Sequence, residues 1–196
     1  MASEEQLKLD SWAAPSARTA APGKRVLIAL ALIALVAAAA QVAVPLPGTP
    51  VPVTLQDLAV MVIGVVLGPV QGALTVASYV LIGALGAPVF SSGHAGLAWL
   101  MGPTGGYLLA FPVAAFVIGH ATAPGRPSWL LPVGLVAAQG VEYAGGVLQL
   151  ALVTGRGLSE AIALGVVPFL PGVAFKSALL VVFAVAFQRW RRGAAG

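Results

Sequence analysis

Six long apolar stretches, separated by short segments rich in glycine and proline, set the pattern of hydrophobic and polar positions along this chain. A helix needs about 20 mostly apolar residues to cross the hydrocarbon core of a bilayer. The stretches therefore predict six membrane-spanning helices, at residues 25–44, 55–68, 70–86, 103–121, 129–153 and 168–189. The second is short, and the segment Leu-Gly-Pro-Val-Gln-Gly ties it to the third, which predicts a tight helical hairpin.

The composition agrees with helices that lie in lipid. Hydrophobic residues make up 59% of the 196 residues and charged residues only 8%, whereas soluble domains carry about 25% charged residues. The 68 residues between Asp57 and Arg126 contain no Asp, Glu, Lys or Arg. Because such a chain cannot build a solvated surface, the lipid bilayer is expected to be its solvent. The absence of cysteine excludes disulfides, thiolate nucleophiles and thiolate metal sites.

The chain divides into three regions. Residues 1–23 are polar, rich in Ala, Ser and Pro, and have no helical apolar stripe, which is typical of a disordered tail. Residues 24–192 are predicted to form the six-helix membrane domain, and residues 193–196 a short C-terminal tail.

The distribution of basic residues predicts the orientation in the membrane. In the six-span arrangement eight Lys and Arg residues fall on one side, and only Arg156 falls on the other. Because cytoplasmic loops carry the excess of Lys and Arg, both termini are predicted to be cytoplasmic in a multi-pass protein of the cell membrane. This placement does not indicate nucleic-acid binding. The eight residues are Lys8, Arg18, Lys24, Arg25, Arg126, Arg189, Arg191 and Arg192.

The connections on the outer side are longer than those inside and richer in Gly and Pro. They cover residues 45–54, 87–102 and 154–167, and the middle one contains a short apolar Gly-Leu-Ala-Trp-Leu-Met piece. Irregular backbone at membrane depth is tolerated where protein buries it or where it lines a cavity. We therefore expect an all-α membrane protein whose outer loops cap a ligand pocket; the alternative is that these segments are only slack connectors.

Two ionisable residues, Glu142 and Lys176, fall inside predicted spans. An intramembrane charge costs about 2.5–3.5 kcal/mol even on insertion scales, so a partner is expected for Lys176. One alternative is a structural ion pair with Glu142. The other is the carboxylate of a small anionic ligand, because the Pro168 to Gly172 segment opens space next to Lys176 below the outer loops.

The segment that opens the second span, Thr54-Leu-Gln-Asp57, has the spacing of a capping box. Capping by Thr54 and Asp57 would explain the carboxylate without any ligand. Gln56 has no role in such a cap, and its amide offers donors and an acceptor at the outer mouth.

Other motifs exclude several kinds of chemistry. The glycine-rich turn that opens the fourth span lacks the Lys-Ser/Thr of a phosphate loop, and no Walker motif occurs, so the chain is not expected to hydrolyse ATP by that route. The Ser91–His94 pair has no orienting carboxylate and no nucleophile elbow. His94 and His120 fall on opposite sides of the membrane and cannot share a metal. No catalytic residue, metal site or cofactor is predicted, which disfavours a membrane-embedded enzyme; a purely structural membrane subunit remains a further alternative.

Several motifs in one order resemble the BioY family, the biotin-binding S-components of energy-coupling-factor (ECF) transporters. The resemblance covers about 26–188. The matching runs are Thr49-Pro-Val-Pro-Val-Thr-Leu-Gln-Asp-Leu-Ala59, Leu67-Gly-Pro, Tyr79-Val-Leu-Ile-Gly-Ala-Leu-Gly-Ala-Pro-Val-Phe90, Gly102-Pro-Thr-Gly-Gly-Tyr107 and Pro168-Phe-Leu-Pro-Gly172.

The resemblance implies a six-helix membrane protein that captures biotin, or a related small carboxylate vitamin or precursor, from outside. A separate module of one transmembrane coupling protein and two ATPases then drives import, although some family members are reported to work without a dedicated module. The substrate-binding candidates on this basis are Lys176, Gln56, Tyr79, Thr104, Tyr107, Glu142, Asp57 and His94.

One departure from the family pattern concerns the motif Gly-Asp-x-x-Lys. In the family its lysine holds the carboxylate side of biotin and its aspartate helps to bind the ligand by hydrogen bonding. Here Gly172 and Lys176 align, but Val173 occupies the aspartate position. Either Gln56, Asp57 or Glu142 supplies the missing acceptor, or affinity and substrate differ.

The resemblance also implies a docking face for the coupling protein on the first helix, through small residues spaced Ala-x-x-x-Ala. Small residues at i and i+4 let helices approach closely in lipid. Because this helix is alanine-rich throughout, ordinary packing within the bundle gives the same pattern. The residues with this spacing are Ala34 and Ala38, and Ala39 and Ala43.

Overall fold

A computed structural model describes residues 22–193 of the chain. The predicted tails lie almost wholly outside this range. The described residues form eight α-helices and one two-stranded sheet: α1 (Pro22–Gln41), β1 (Ala43–Val44), β2 (Val53–Thr54), α2 (Gln56–Leu67), α3 (Pro69–Ala84), α4 (Leu97–Leu100), α5 (Gly105–Ala121), α6 (Leu130–Thr154), α7 (Leu158–Gly165) and α8 (Leu170–Gly193), with 3₁₀ turns at Ser91–Gly93 and Val167–Phe169.

Six of these helices match the six predicted spans, and the protein is an all-α integral membrane protein. Gly23–Gln41, Leu130–Thr154 and the helical stretch Leu158–Gly193 are long and apolar enough to cross a membrane. The helices Gln56–Leu67, Pro69–Ala84 and Gly105–Ala121 are apolar but shorter. The prediction of a short second span is confirmed, because α2 has only 12 residues.

The predicted hairpin of the second and third spans is tighter than the sequence pattern indicated. A single residue, Gly68, separates α2 from α3, and its φ of 81° is a conformation that glycine adopts without strain. Pro69 follows at the first helical position, where a missing backbone N–H leaves no hydrogen bond unmade. The two helices therefore reverse direction within one residue.

Helix α5 lies at the centre of the bundle and packs against α2, α3 and α6. Its alanines Ala114 and Ala115 are fully buried. Glycines allow the closest approach, since a Cβ at Gly106 would overlap the carbonyl oxygen of Gly145 on α6. Backbones in lipid approach closely where side chains are small, so this glycine pair fixes the height and spacing of α5 relative to α6.

The segments predicted as irregular outer loops contain regular structure. In the first, Ala43 pairs with Thr54 and Val44 with Val53 in an antiparallel ladder. The second contains α4, and the third contains α7, whose Ala161 is fully buried. Ala161 and Leu164 are spaced three residues apart, which places both on the face of α7 that packs on the bundle.

The strand β1 also corrects one predicted docking pair. The first span was expected to continue to residue 44, but α1 ends at Gln41 and Ala43 lies in β1. Ala39 and Ala43 therefore do not share a helical face, whereas Ala34 and Ala38 are both exposed on α1. One end of the bundle carries β1, β2, α4 and α7, and it is named the hairpin end after the antiparallel strands β1 and β2. The opposite end is named the far end.

Candidate ligand-binding site

A cavity opens at the hairpin end of the bundle. Its empty space amounts to about 640 Å³, which includes open solvent at its mouth. Helices α2, α5, α6 and α8 form its walls, and the β1–β2 connection and the segment before α5 form its rim. The cavity is lined by Val51, Pro52, Val53, Thr54, Gln56, Asp57, Ser91, Trp99, Thr104, Tyr107, Leu108, Phe111, Glu142, Tyr143, Phe169 and Lys176.

Lys176 lies in the wall of this cavity, about two helical turns below the start of α8. Its Nζ lies 2.5 Å from Asp57 Oδ2 on α2 and donates to the Thr54 carbonyl oxygen at 3.2 Å. The side chains of Lys176 and Asp57 are only 10% and 20% exposed. In the low-dielectric interior, each charge stabilises the other against the loss of hydration.

This pair overturns two interpretations made from the sequence. Asp57 does not belong to a capping box, because Leu55 occupies the N-cap position of α2 and no side chain caps the helix there. The Thr54 hydroxyl instead accepts from the Gln56 backbone N–H at 3.2 Å. Lys176 is paired with Asp57 and not with Glu142.

Glu142 is buried in the cavity wall, halfway along α6, with 5% of its surface exposed. Within residues 22–193, its Oε1 atom and the Asp57 Oδ1 atom have no hydrogen-bond partner. Buried polar atoms are normally satisfied. Two carboxylate oxygens in one cavity can therefore accept hydrogen bonds from the N–H groups of a ligand.

Gln56 and Tyr79 form a hydrogen-bonded chain behind the cavity surface. Gln56 Nε2 donates to the Tyr79 hydroxyl at 2.8 Å, and this hydroxyl donates to the Val89 carbonyl oxygen at 2.7 Å. Gln56 lines the cavity, but Tyr79 is fully buried and does not. The structure thus places Tyr79 where it orients Gln56.

Aromatic side chains form much of the remaining wall. Tyr107 and Tyr143 meet edge to face with centroids 6.3 Å apart, and the Tyr107 hydroxyl donates to the Gly165 carbonyl oxygen at 2.7 Å. His94 does not line the cavity; its ring stacks on Trp99, which does, at a centroid distance of 3.7 Å. Thr104 also lines the cavity.

Sequence reasoning missed most of the aromatic and apolar lining. Trp99 lay in a connection that was expected to cap the pocket, which was a usable signal. Phe169 lies in the matching run Pro168-Phe-Leu-Pro-Gly172 and Tyr143 follows Glu142, but neither side chain was singled out. Phe111 lies among apolar residues and gave no signal. The orientation of such residues depends on helix rotation, which the sequence pattern does not determine.

Comparisons with known proteins agree with this architecture. The model of the BioY family matches residues 13–193. The "Probable biotin transporter BioY" of Pyrococcus horikoshii is 39% identical over 166 residues, which cover 84% of this chain and 96% of the relative. The "Biotin transporter BioY" of Thermotoga maritima is 42% identical over 160 residues, covering 81% and 90%. A crystal structure of the S-component for biotin from an ECF-type ABC transporter aligns with a TM-score of 0.75 at 26% identity, over 86% of this chain and 91% of that one.

Proposed function

This chain belongs to the BioY family, and we propose that it is the biotin-binding subunit of an ECF transporter, which captures biotin for uptake into the cell. It is a membrane transporter component and not an enzyme. The observation that carries the proposal is the cavity at the hairpin end, which combines a buried cation, a buried and a partly buried carboxylate, and aromatic walls. Biotin is the transported ligand, and no cofactor is indicated.

The chemistry of the cavity matches the chemistry of biotin. The ammonium of Lys176 uses two of its three N–H donors for Asp57 and Thr54 within the described residues, and the third can bind the biotin carboxylate. The Glu142 Oε1 atom, which has no hydrogen-bond partner within the described residues, can accept from an N–H group of the cyclic urea. The rings of Trp99 and Tyr143 offer contact area to the apolar bicycle and chain.

This assignment also explains how the site can bind biotin with Val173 at the position of the family aspartate. Val173 is 9% exposed and packs in an apolar cluster with Val147 and Phe169, so it offers the ligand no acceptor. We propose that the acceptor comes from Glu142 on α6, while Asp57 holds Lys176 in place. Thr104 and Tyr107 supply hydroxyls near the rim, while Tyr79 and His94 act through Gln56 and Trp99.

Calorimetric titration of the purified protein tests the ligand. Biotin is expected to bind with measurable heat and to raise the melting temperature, because a ligand that binds only the folded protein stabilises it. The isolated chain in liposomes should bind biotin without accumulating it against a gradient, since it contains no Walker motif. If micromolar biotin gives neither heat nor thermal stabilisation, the biotin assignment is wrong. Binding of a related carboxylate vitamin in the same assay would then identify that vitamin as the substrate.

The partner proposal rests on the resemblance to ECF S-components. A transmembrane coupling protein and two ATPases would energise transport, with Ala34 and Ala38 on the exposed face of α1 as the docking residues. ATP-dependent accumulation of biotin by the isolated chain would contradict this dependence on partners.

We further propose that the protein lies in the cell membrane with both termini in the cytoplasm and the cavity facing outward. Because the chain contains no cysteine, single cysteines report the topology cleanly. Arg156→Cys should react with a membrane-impermeant maleimide in intact cells, whereas Arg126→Cys should react only after the cells are opened. The reverse labelling pattern would invert the orientation.

A further inference from the structure

A second cavity lies at the far end of the bundle, between the loop that joins α5 to α6 and the last turns of α8. It encloses about 570 Å³, including open space. Three arginines line it: Arg126 from the loop, and Arg191 and Arg192 from α8. Gln188 and Thr122 add neutral polar groups. The proposed capture of biotin at the hairpin end uses none of these residues.

The three cavity arginines have no acidic counterpart in the described part of the chain. The carboxylates within residues 22–193 are Asp57, Glu142 and Glu160. Two of them line the cavity at the hairpin end, and Glu160 pairs with Arg156 on that same end. None of the three cavity arginines therefore forms an ion pair within the described residues. Clustered like charges repel one another, so an anion bound among these arginines would stabilise them.

Two of the arginines are oriented by neighbouring rings. Arg126 Nη2 donates to His120 Nε2 at 2.8 Å. The guanidinium carbon of Arg191 lies 5.1 Å from the centroid of the Phe187 ring, in cation–π range. An oriented guanidinium presents its remaining N–H donors in a fixed fork, which matches the geometry of phosphate oxygens.

Exposed tryptophans mark the depth of this cavity relative to the bilayer. Trp129, one residue before α6, and Trp190, between the cavity arginines and the body of α8, are each 62% exposed. Tryptophan is enriched at the membrane–water interface, at the level of the headgroups. The arginine cavity thus lies at the depth of the phospholipid phosphates.

We propose that this cavity is a binding site for the phosphate of an anionic phospholipid headgroup, with Arg126, Arg191 and Arg192 as its ligands. Basic pockets between membrane helices are suited to such headgroups. A lipid bound there joins the α5–α6 loop to the end of α8. It therefore stabilises the far end without entering the biotin cavity.

The experiment titrates the full-length protein in a neutral detergent with dioleoyl phosphatidylglycerol, dioleoyl phosphatidylcholine or inorganic phosphate. Binding is followed by native mass spectrometry and by melting temperature. Phosphatidylglycerol is expected to bind and to stabilise more than phosphatidylcholine. Since each arginine near an anionic headgroup contributes about a factor of five, R126Q/R191Q/R192Q should weaken phosphatidylglycerol binding on the order of 100-fold.

The matched control is Arg189→Gln, because Arg189 lies near Arg191 in α8 but does not line the cavity. This variant should retain nearly all of the phosphatidylglycerol binding. If the triple variant does not fold, Arg192→Gln alone should lose about fivefold. Equal binding of the two lipids, or an equal loss in R189Q, would overturn the proposal. Equal stabilisation by inorganic phosphate would overturn the lipid assignment in favour of a free anion. Phosphatidylglycerol could also stabilise E4Q/E5Q/D10N but not the wild type. That result would overturn the proposal, because acidic side chains of the N-terminal segment would then neutralise the arginines in place of a lipid.

Discussion

Replacement of Lys176 by alanine is expected to weaken biotin binding by about ten- to a hundredfold. The variant removes a charge-assisted hydrogen bond to the ligand carboxylate, worth about 1.5–3 kcal/mol, and about 1.4 kcal/mol corresponds to one decade in affinity. The same variant leaves Asp57 buried without its cation, so the melting temperature should also fall. Calorimetry and thermal melting on the same preparation measure both effects.

The double variant K176A/D57N separates ligand binding from scaffold. Removing the stranded carboxylate charge should restore the melting temperature but not the affinity for biotin, if Lys176 binds the ligand. Lys176→Met, which retains the chain length without the charge, should lose as much affinity as Lys176→Ala. An uncharged biotin amide should bind the wild type more weakly and lose little more on mutation.

Unchanged biotin affinity in Lys176→Ala, with stability recovered by Asp57→Asn, would show that the pair only holds α2 to α8. If Glu142→Gln, and not Asp57→Asn, restores the stability of Lys176→Ala, the structural partner of Lys176 is Glu142, which was one alternative from the sequence. These outcomes differ because the structure assigns Lys176 one carboxylate partner, 119 positions away in the chain.

Substitution of Gly106 by alanine is expected to lower the melting temperature strongly. The added methyl group would overlap the Gly145 carbonyl oxygen and crowd the Gln149 Cβ on α6, so α5 and α6 must separate. Overpacking of this kind costs about 1–3 kcal/mol, and each kcal/mol corresponds to roughly 2–4 °C in a domain of this size. Tryptophan fluorescence during heating provides the measurement.

Gly140→Ala is the matched control, because it lies within α6 and a Cβ there meets nothing within 4 Å. Both substitutions raise helix propensity by up to about 1 kcal/mol, so Gly140→Ala should be neutral or slightly stabilising. Since α5 carries Tyr107 and α6 carries Glu142, Gly106→Ala should also weaken biotin binding. Equal melting temperatures of the two variants would contradict a role for this close helix contact.

The sequence predicted the spanning helices more accurately than it predicted the segments that connect them. Runs of apolar residues identified the six helices that match the predicted spans, and Gly68-Pro69 identified the tight turn, because both signals depend on consecutive residues. The helix α7 was missed, since eight residues that begin after Gly157 resemble a loop until they pack on Leu150 and Val147. The end of α1 at Gln41 was missed because Val42, Ala43 and Val44 continue the apolar run, although Ala43 and Val44 form a strand.

For the candidate site too, the sequence identified some features and the tertiary structure was needed for others. The sequence alone singled out Lys176 and Glu142, because a charge within a long apolar run is costly in lipid and stands out without any model of the fold. It also placed Gln56 and Thr104 near one end of the bundle, since each begins a span on the same predicted side. Chemistry that is unusual for its local surroundings can be recognised from the chain.

Only the tertiary structure decided which of these groups meet. Lys176 pairs with Asp57 on α2 and not with Glu142 on α6, and Tyr79 lies behind Gln56 and not in the cavity. Hydropathy and length are sums over neighbouring residues, so the chain alone determines them. A partner across the bundle depends on the rotation and height of each helix, and packing sets these where Gly106 meets Gly145.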